Sequence, residues 1–362
     1  MEGLKNKSIV FVIFGAVLGY GVLELPKLVA EDAGTSGWIR LIMVTLFAVI
    51  IAVITVKLSY IHENKTLFEY SKELVGNVFG NVIIITYIIY FFLLFTFIIR
   101  GSAETIKLSV LEKTPVWAMT CMLFIAVYYA VVKGFKCISI ISQIYGVIVL
   151  SVIVTVHILM FAKGEILNIK PLFSLEHVYD YFKIDFKLVL AFLGSECISF
   201  VCLDRKRNKN LCKYVATMVL IIGFLYILIV ESCISIIGIN DIVHYKDAVI
   251  ATIRRVEIPY LEFFRRFDGL SLIVWIMSVF CTISIYAYGT VFFLSKYFKK
   301  TNIKILTAIV IVLGFCVSEI PGTLKGVQDG IKYIGYFGII PYAVVPTSLL
   351  IITKVKKYDK KN

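Results

Sequence analysis

Runs of about 18 or more apolar residues recur along the whole of this 362-residue chain, and one such run spans the roughly 30 Å hydrocarbon core of a bilayer as a helix. No other feature narrows the fold as far. In hydrocarbon every backbone N–H and C=O must be bonded within the protein, which leaves only helices and closed barrels. A barrel would be written in short segments of alternating apolar and polar residues, and that alternation is missing. Composition agrees: 60% of residues are apolar and 17% charged, whereas soluble domains run near half and about a quarter. The sequence therefore predicts an all-α integral membrane protein. Ten spans are expected, near 8–29, 38–60, 80–100, 115–132, 139–162, 186–203, 213–237, 268–295, 303–320 and 333–353. The basic head before the first run could open a cleaved leader. The run ends in Glu24-Leu25-Pro26-Lys27 with no small-x-small cleavage site, so it is read as a retained span.

The connections carry the charge and predict the orientation. Arg205, Lys206, Arg207 and Lys209 lie between spans six and seven, Lys296, Lys299, Lys300 and Lys304 between eight and nine, and Lys354, Lys356, Lys357, Lys360 and Lys361 in the tail. With Lys5 and Lys7 they share one side of a ten-span layout, and basic residues in short connections stay cytoplasmic. Both termini are expected inside. The opposite loops are longer and nearly balanced, Asp241, Asp247, Glu257 and Glu262 offsetting Lys246, Arg254, Arg255 and Arg265. The net charge of +13 then reports topology, with attraction to anionic lipid as a by-product. It gives no reason to expect a nucleic acid partner. Between spans two and three, Thr66-x-x-Glu69 forms a capping box. Leu67, Tyr70, Leu74 and Val78 follow at helical spacing, which predicts a short cytoplasmic helix on the membrane surface.

Catalytic signatures are missing. There is no GxSxG, GxxxxGK or HExxH, and Gly19-Tyr20-Gly21 lacks the third glycine of a dinucleotide fingerprint because Glu24 stands there. The eight cysteines show no CxxC or metal spacing, and His62, His157, His177 and His244 are far apart. No enzyme activity, cofactor or metal is expected. Small apolar fillers account for the cysteines.

Two spans look interrupted. The first holds Gly15, Gly19, Gly21 and Pro26, and the sixth holds Phe192-Leu193-Gly194-Ser195-Glu196. Glycine weakens a helix interior by about 1 kcal/mol, and breaks survive in a bilayer where they line a cavity. Gly19 and Gly194 stand about half the chain apart, as two five-span repeats of opposite topology would place them. The repeats would cover about 8–162 and 186–353 within a single transmembrane domain, 1–362. Helix packing is the bland alternative for each glycine. Broken helices suit a zwitterion: N–H groups near Tyr20 to Leu23 would meet a carboxylate, and carbonyls near Phe192 to Gly194 an ammonium. The candidate ligand residues are Gly19, Tyr20, Gly21, Phe192, Gly194, Ser195 and Glu196. Tyr87, Tyr90 and Phe91 on span three join them, with Ser278 and Thr282 on span eight; Ser284 is also considered. These aromatic and small polar residues also suit plain packing. Intramembrane carboxylates are costly to ionise, which marks Glu196 and Glu231 as functional or as paired structural groups. Glu24 and Lys27 read as solvated, Arg100 and Glu104 as an i,i+4 pair or gate, and Arg265, Arg266 and Asp268 as interfacial anchors or a docking point for a partner.

These residues carry a resemblance. Ala30-Glu31-Asp32-Ala33-Gly34 through Trp38, Thr66-Leu67-Phe68-Glu69-Tyr70, Thr114-Pro115, Phe192 to Glu196, and Phe263-Phe264-Arg265-Arg266-Phe267-Asp268 with Trp275 are ordered and spaced as in one family. The chain resembles the spore germination permeases, the B-type (GerAB-like) subunits of germinant receptors, in the amino acid–polyamine–organocation transporter superfamily. Phe135-Lys136 stands where an acidic residue is expected after Gly134, and Asp204 where a proline is expected. The resemblance implies a sensor in the spore inner membrane. It would bind a small germinant resembling an amino acid and work with an A-type membrane subunit and a C-type lipoprotein. An amino acid permease driven by a proton or sodium gradient needs the same pocket and is the alternative.

Overall fold

Helical segments stand at every range that the apolar runs predict. The computed structural model describes residues 4–171, 185–245, 247–255 and 267–356. His177, Lys246, Glu257, Glu262, Phe263 to Arg266 and the tail lysines Lys357, Lys360 and Lys361 lie outside the described residues. The first span is α1 (Asn6–Val17), a 3₁₀ turn (Tyr20–Leu23) and α2 (Leu25–Ala33). Then come α3 (Gly37–Ile61), α4 (Leu67–Ser109), α5 (Val116–Lys133) and α6 (Phe135–Lys163). The sixth segment is α7 (Phe186–Val189) with 3₁₀ turns at Leu190–Phe192 and Ser195–Phe200. The rest are α8 (Leu211–Ile237), α9 (Ile239–Ile242), α10 (Ala248–Arg255), α11 (Phe267–Tyr297), α12 (Ile303–Ser318), α13 (Leu324–Ile339) and α14 (Val345–Val355). Among the described residues seven helical stretches are long and apolar enough to cross a membrane, and α1 and α12 are shorter apolar helices. The chain is a multi-pass, all-α membrane protein. A π turn, Ile340–Val344, joins α13 to α14; Pro341 within it brings no N–H to the helical ladder.

Close packing of backbone sets the interior. α11 lies against α4 and α6, α3 against α8, and α1 against α6, α8 and α11. Glycines let aromatic rings approach the helix backbone. A Cβ at Gly338 would stand 2.4 Å from the Tyr90 ring, and one at Gly289 2.6 Å from Phe91.

The end of the bundle that carries the N-terminus is tied shut by Asn208, which is wholly buried. Its Nδ2 donates to Leu4 O and to Asn6 Oδ1, each at 2.9 Å. Its Oδ1 accepts from Asp204 N, and its carbonyl accepts from Leu211 N and the Tyr60 hydroxyl. The loop after the second break thereby holds the start of α1 to the end of α3.

The helix expected after Thr66 is present and differs in what its apolar face meets. Glu69 caps it, accepting from Thr66 N at 2.8 Å and from the Thr66 hydroxyl. Leu67, Tyr70 and Leu74 are buried in the protein, so that face is spent on the bundle. Gly76, at φ 83°, ψ 170°, kinks the chain, and Val78 belongs to the helix beyond. Lys296 Nζ reaches Glu69 Oε1 at 2.7 Å. Burial raises the Glu69 carboxyl, but hydrogen bonds from Lys296 and Thr66 outweigh that and hold it below its ordinary value. A lowered folded pKa stabilises the fold above the unfolded pKa, and the benefit fades as pH falls through the folded value. Thermal unfolding of purified protein should therefore lose midpoint temperature on acidification below about pH 4.3. Glu69→Gln should show a smaller acid loss from a lower midpoint at pH 7.

Candidate functional site

Two backbone breaks meet at the centre of the bundle. α1 stops at Val17, Leu18 leaves helical geometry at φ −83°, ψ 59°, and Gly19 takes φ −110°, ψ −123°. In the sixth segment Leu193 is extended and Gly194 takes φ 153°, ψ −27°, a backbone shape that side chains rarely allow. A Cβ on Gly194 would stand 2.4 Å from Val17 Cγ2 and 2.9 Å from Val17 N. Glycine at this position therefore sets both the local shape and the contact between the two breaks.

Each break frees backbone groups, and side chains take them up. The Ser278 hydroxyl donates to Leu18 O, and Thr282 donates to Gly15 O at 2.6 Å. The Tyr226 hydroxyl lies 3.2 Å from Val17 O and 2.8 Å from Ala191 O, so it bridges the two interrupted segments. Gly194 N donates to Glu196 Oε2 at 2.7 Å. The other Glu196 oxygen accepts from Tyr90 at 3.0 Å and Tyr286 at 2.9 Å. Glu196 is fully buried, and three donors stand around it in place of a cation.

Above the breaks lies a vestibule of about 380 Å³. Ala16, Val17, Leu193 and Thr282 form its floor, and Gly19, Tyr20 and Gly21 one wall. Its mouth is charged, with Glu24, Lys27, Glu31, Lys187, Asp329 and Lys332 around it. Gln328 Nε2 donates to Glu24 Oε1 at 2.7 Å, which ties α13 to the end of the 3₁₀ turn. Lys187 pairs with Asp32 at 2.7 Å and Lys27 with Glu31 at 3.8 Å. Toward the N-terminal end the path is filled with rings. Phe200 contacts Phe91, Phe135, Tyr288, Phe292 and Phe293 at centroid distances of 5.2–6.4 Å. The vestibule thus opens at one end of the bundle and stops at the breaks.

The residues singled out from sequence divide by placement. Gly19, Tyr20, Gly21 and Thr282 line the vestibule. Tyr90, Gly194 and Glu196 form the hydrogen-bonded layer just described, and Ser195 is buried on the turn that follows Gly194. Tyr87 donates to Pro341 O at 2.6 Å, Phe91 joins the ring cluster, and Phe192 packs edge-on against Tyr226. The Ser278 hydroxyl is occupied by the Leu18 carbonyl. Tyr286 and Tyr226 were missed. Tyr286 follows Thr282 by one helical turn and shares its face, a readable signal; nothing local marks Tyr226. Arg100 bonds Glu104 at 3.2 Å, as its spacing predicts, but also Glu319 at 2.7 Å, just past the end of α12. Glu24 is not simply solvated, since it accepts from Gln328. Glu231 is buried, and among the described residues neither of its oxygens has a hydrogen-bond partner; Asp268 pairs with Arg254 at 3.5 Å.

A family model described as "Spore germination protein" matches residues 3–359. The chain belongs to the spore germination permease family. This is a transporter-like family rather than a family of enzymes. Among curated relatives, the chain is 26% identical over 351 residues to spore germination protein YndE of Bacillus subtilis, covering 97% of this chain and 96% of that protein. It is also 26% identical over 351 residues to spore germination protein A2 of the same organism, covering 96% and 94%. Among solved structures, the chain is similar to Mhp1, a nucleobase-cation-symport-1 family transporter. The TM-score is 0.66 at 13% identity, covering 95% of this chain and 77% of that one. It is also similar to MhsT in complex with L-phenylalanine, with TM-score 0.63 at 14% identity, covering 96% and 88%. At these identities the likeness concerns the fold, which is LeuT-like.

The glycines of this chain differ in what a substitution should do. A Cβ on Gly21 meets nothing within 4 Å, while one on Gly194 strikes Val17. Gly21→Ala should leave the unfolding midpoint of purified protein unchanged. Gly194→Ala should lower it by several degrees, since strain and contact together cost on the order of 2–3 kcal/mol.

Proposed function

We propose that this chain is the ligand-binding membrane subunit of a bacterial spore germinant receptor, sensing a small germinant resembling an amino acid. The observation that carries this reading is the vestibule that ends at two touching helix breaks. Family membership supplies germination, and the site supplies a ligand. A 3₁₀ turn leaves its first N–H groups unbonded within itself, and the turn at Tyr20 stands in the vestibule wall beside Gly19 and Gly21. A carboxylate fits there. An amino acid's apolar side chain fits the floor of Ala16, Val17 and Leu193. Tyr90, Gly194, Ser195 and Glu196 hold the floor in shape from below, while Tyr87, Phe91, Phe192 and Ser278 support it through packing and hydrogen bonds.

The wider reading has ten membrane crossings in two inverted five-span repeats of one transmembrane domain, interrupted at the first and sixth. Both termini are cytoplasmic, the vestibule faces away from the cytoplasm, and the membrane is the spore inner membrane. An A-type membrane subunit and a C-type lipoprotein are the partners. A ligand that binds one state of the vestibule better than another shifts the population toward it, and the partners read out the shift.

Reconstitution in liposomes tests the sensor. The chain alone and the co-expressed receptor are each given a panel of radiolabelled amino acids. Saturable binding by the receptor without accumulation is expected. Uptake by the chain alone, driven by a proton or sodium gradient, would overturn the sensor and favour a permease. Glu24→Ala should change affinity while leaving protein levels in the membrane unaltered, because Glu24 stands at the mouth.

A further inference from the structure

A second cavity backs onto the same turn. Its volume is about 50 Å³, and Leu18, Val22 and Leu23 of the first break form one wall. α6, α8, α10 and α11 close the rest, through Val156, Ile229, Ile253 and Trp275 among others. The turn is therefore a partition: Tyr20 and Gly21 line the vestibule, while Val22 and Leu23 line this cavity.

The walls are mostly apolar, with polarity gathered on α11. Ser271 and Trp275 both line the cavity and are spaced i,i+4, on one helix face. Trp275 is 4% exposed. Among the described residues its buried Nε1 has no hydrogen-bond partner, and neither does Ser271 Oγ. The indole N–H can only donate, and leaving such a group unbonded costs about 1–3 kcal/mol. Two further polar side chains of the wall have partners: His157 Nδ1 lies 2.7 Å from Ser232 Oγ, and the Ser278 hydroxyl donates to Leu18 O. Among the described residues no Asp, Glu, Lys or Arg lines the cavity.

We propose that this cavity is a second binding site, taking a small neutral molecule with one hydrogen-bond acceptor and a short apolar body. The acceptor meets the Trp275 N–H and the Ser271 hydroxyl. The apolar body lies among Val156, Ile229 and Ile253. Each water-sized body needs roughly 10–15 Å³ of such space, so the cavity holds about four heavy atoms. Short-chain alcohols and amides have that size and chemistry. A charged ligand is excluded, because no counter-charge faces the cavity. The site is separate from the vestibule and holds whether or not the vestibule binds a germinant.

Trp275 is also the reporter. The chain has three tryptophans, so Trp38→Phe with Trp117→Phe leaves Trp275 alone to emit. The full chain carrying both changes is titrated with 1-propanol in detergent, and the emission of Trp275 is followed. A saturable spectral shift is expected. 1-Chloropropane has the same number of heavy atoms and a poor acceptor, and it should need about fivefold more for the same shift, the worth of one hydrogen bond. Ser271→Ala should weaken 1-propanol by a similar factor, and Val156→Phe, which fills the cavity, should abolish the shift. A response linear in 1-propanol and the same in both variants would overturn the site, leaving a cavity that holds water. Ser271→Ala adds no bulk, so it decides the matter alone if Val156→Phe does not fold.

Discussion

A helix that stops inside hydrocarbon must find a partner for every backbone group it releases, and this requirement shapes the centre of the molecule. Bulk water bonds such groups in a soluble protein; in hydrocarbon side chains and local backbone turns must supply most of the partners. The first break depends on α11, where Ser278 and Thr282 take the Leu18 and Gly15 carbonyls. The second is satisfied largely from its own turn, where Glu196 receives the Gly194 N–H. Tyr226 joins the two by standing between Val17 O and Ala191 O. Burying a carboxylate is costly unless donors surround it. Tyr90, Tyr286 and Gly194 surround Glu196. The small hydroxyls of α11 thus serve the scaffold first, and backbone forms much of the wall that a ligand meets.

That division explains what the sequence could and could not say. The apolar runs are one-dimensional, so they were readable, and helical segments stand at each. Glycine marks both breaks because a side chain would be strained or crowded there; Gly194, at φ 153°, is the plain case. Thr66 and Glu69 bond within one turn and were equally readable. Contacts between distant segments were not. Nothing near Arg100 points to Glu319, more than two hundred residues on, and nothing near Tyr226 points to Val17. Amphipathicity announced the helix after Thr66, but periodicity cannot distinguish a lipid surface from a protein surface. Tyr70 stacks on His62 at 5.0 Å, a protein contact. That the hydroxyls of Ser278 and Thr282 also bond the Leu18 and Gly15 carbonyls was not readable, because a local pattern does not reveal which carbonyls lie opposite.

The two ends of the bundle are held with unequal strength, and that inequality bears on the proposed sensor. At the mouth, the tie between Gln328 and Glu24 is a hydrogen bond beside partly exposed charges, and such bonds contribute about 1 kcal/mol net. At the other end, Phe200 sits among five rings, each contact worth about 0.5–1.5 kcal/mol beyond simple burial. Asn208 adds a buried hydrogen-bond node whose removal leaves several groups unpaired. By these contacts the ring-filled end is held more strongly than the Gln328–Glu24 tie holds the mouth. Ligand coupling on the usual scale of about 1–3 kcal/mol is comparable to the mouth's tie and too small to undo the ring cluster. In the proposed sensor, a ligand in the vestibule would redistribute the mouth, the 3₁₀ turn and α13 while the opposite end stays sealed. A transporter must open both ends in turn, so it needs a further source of free energy or a weaker seal. A sensor needs only the movement that this distribution of contacts leaves cheap.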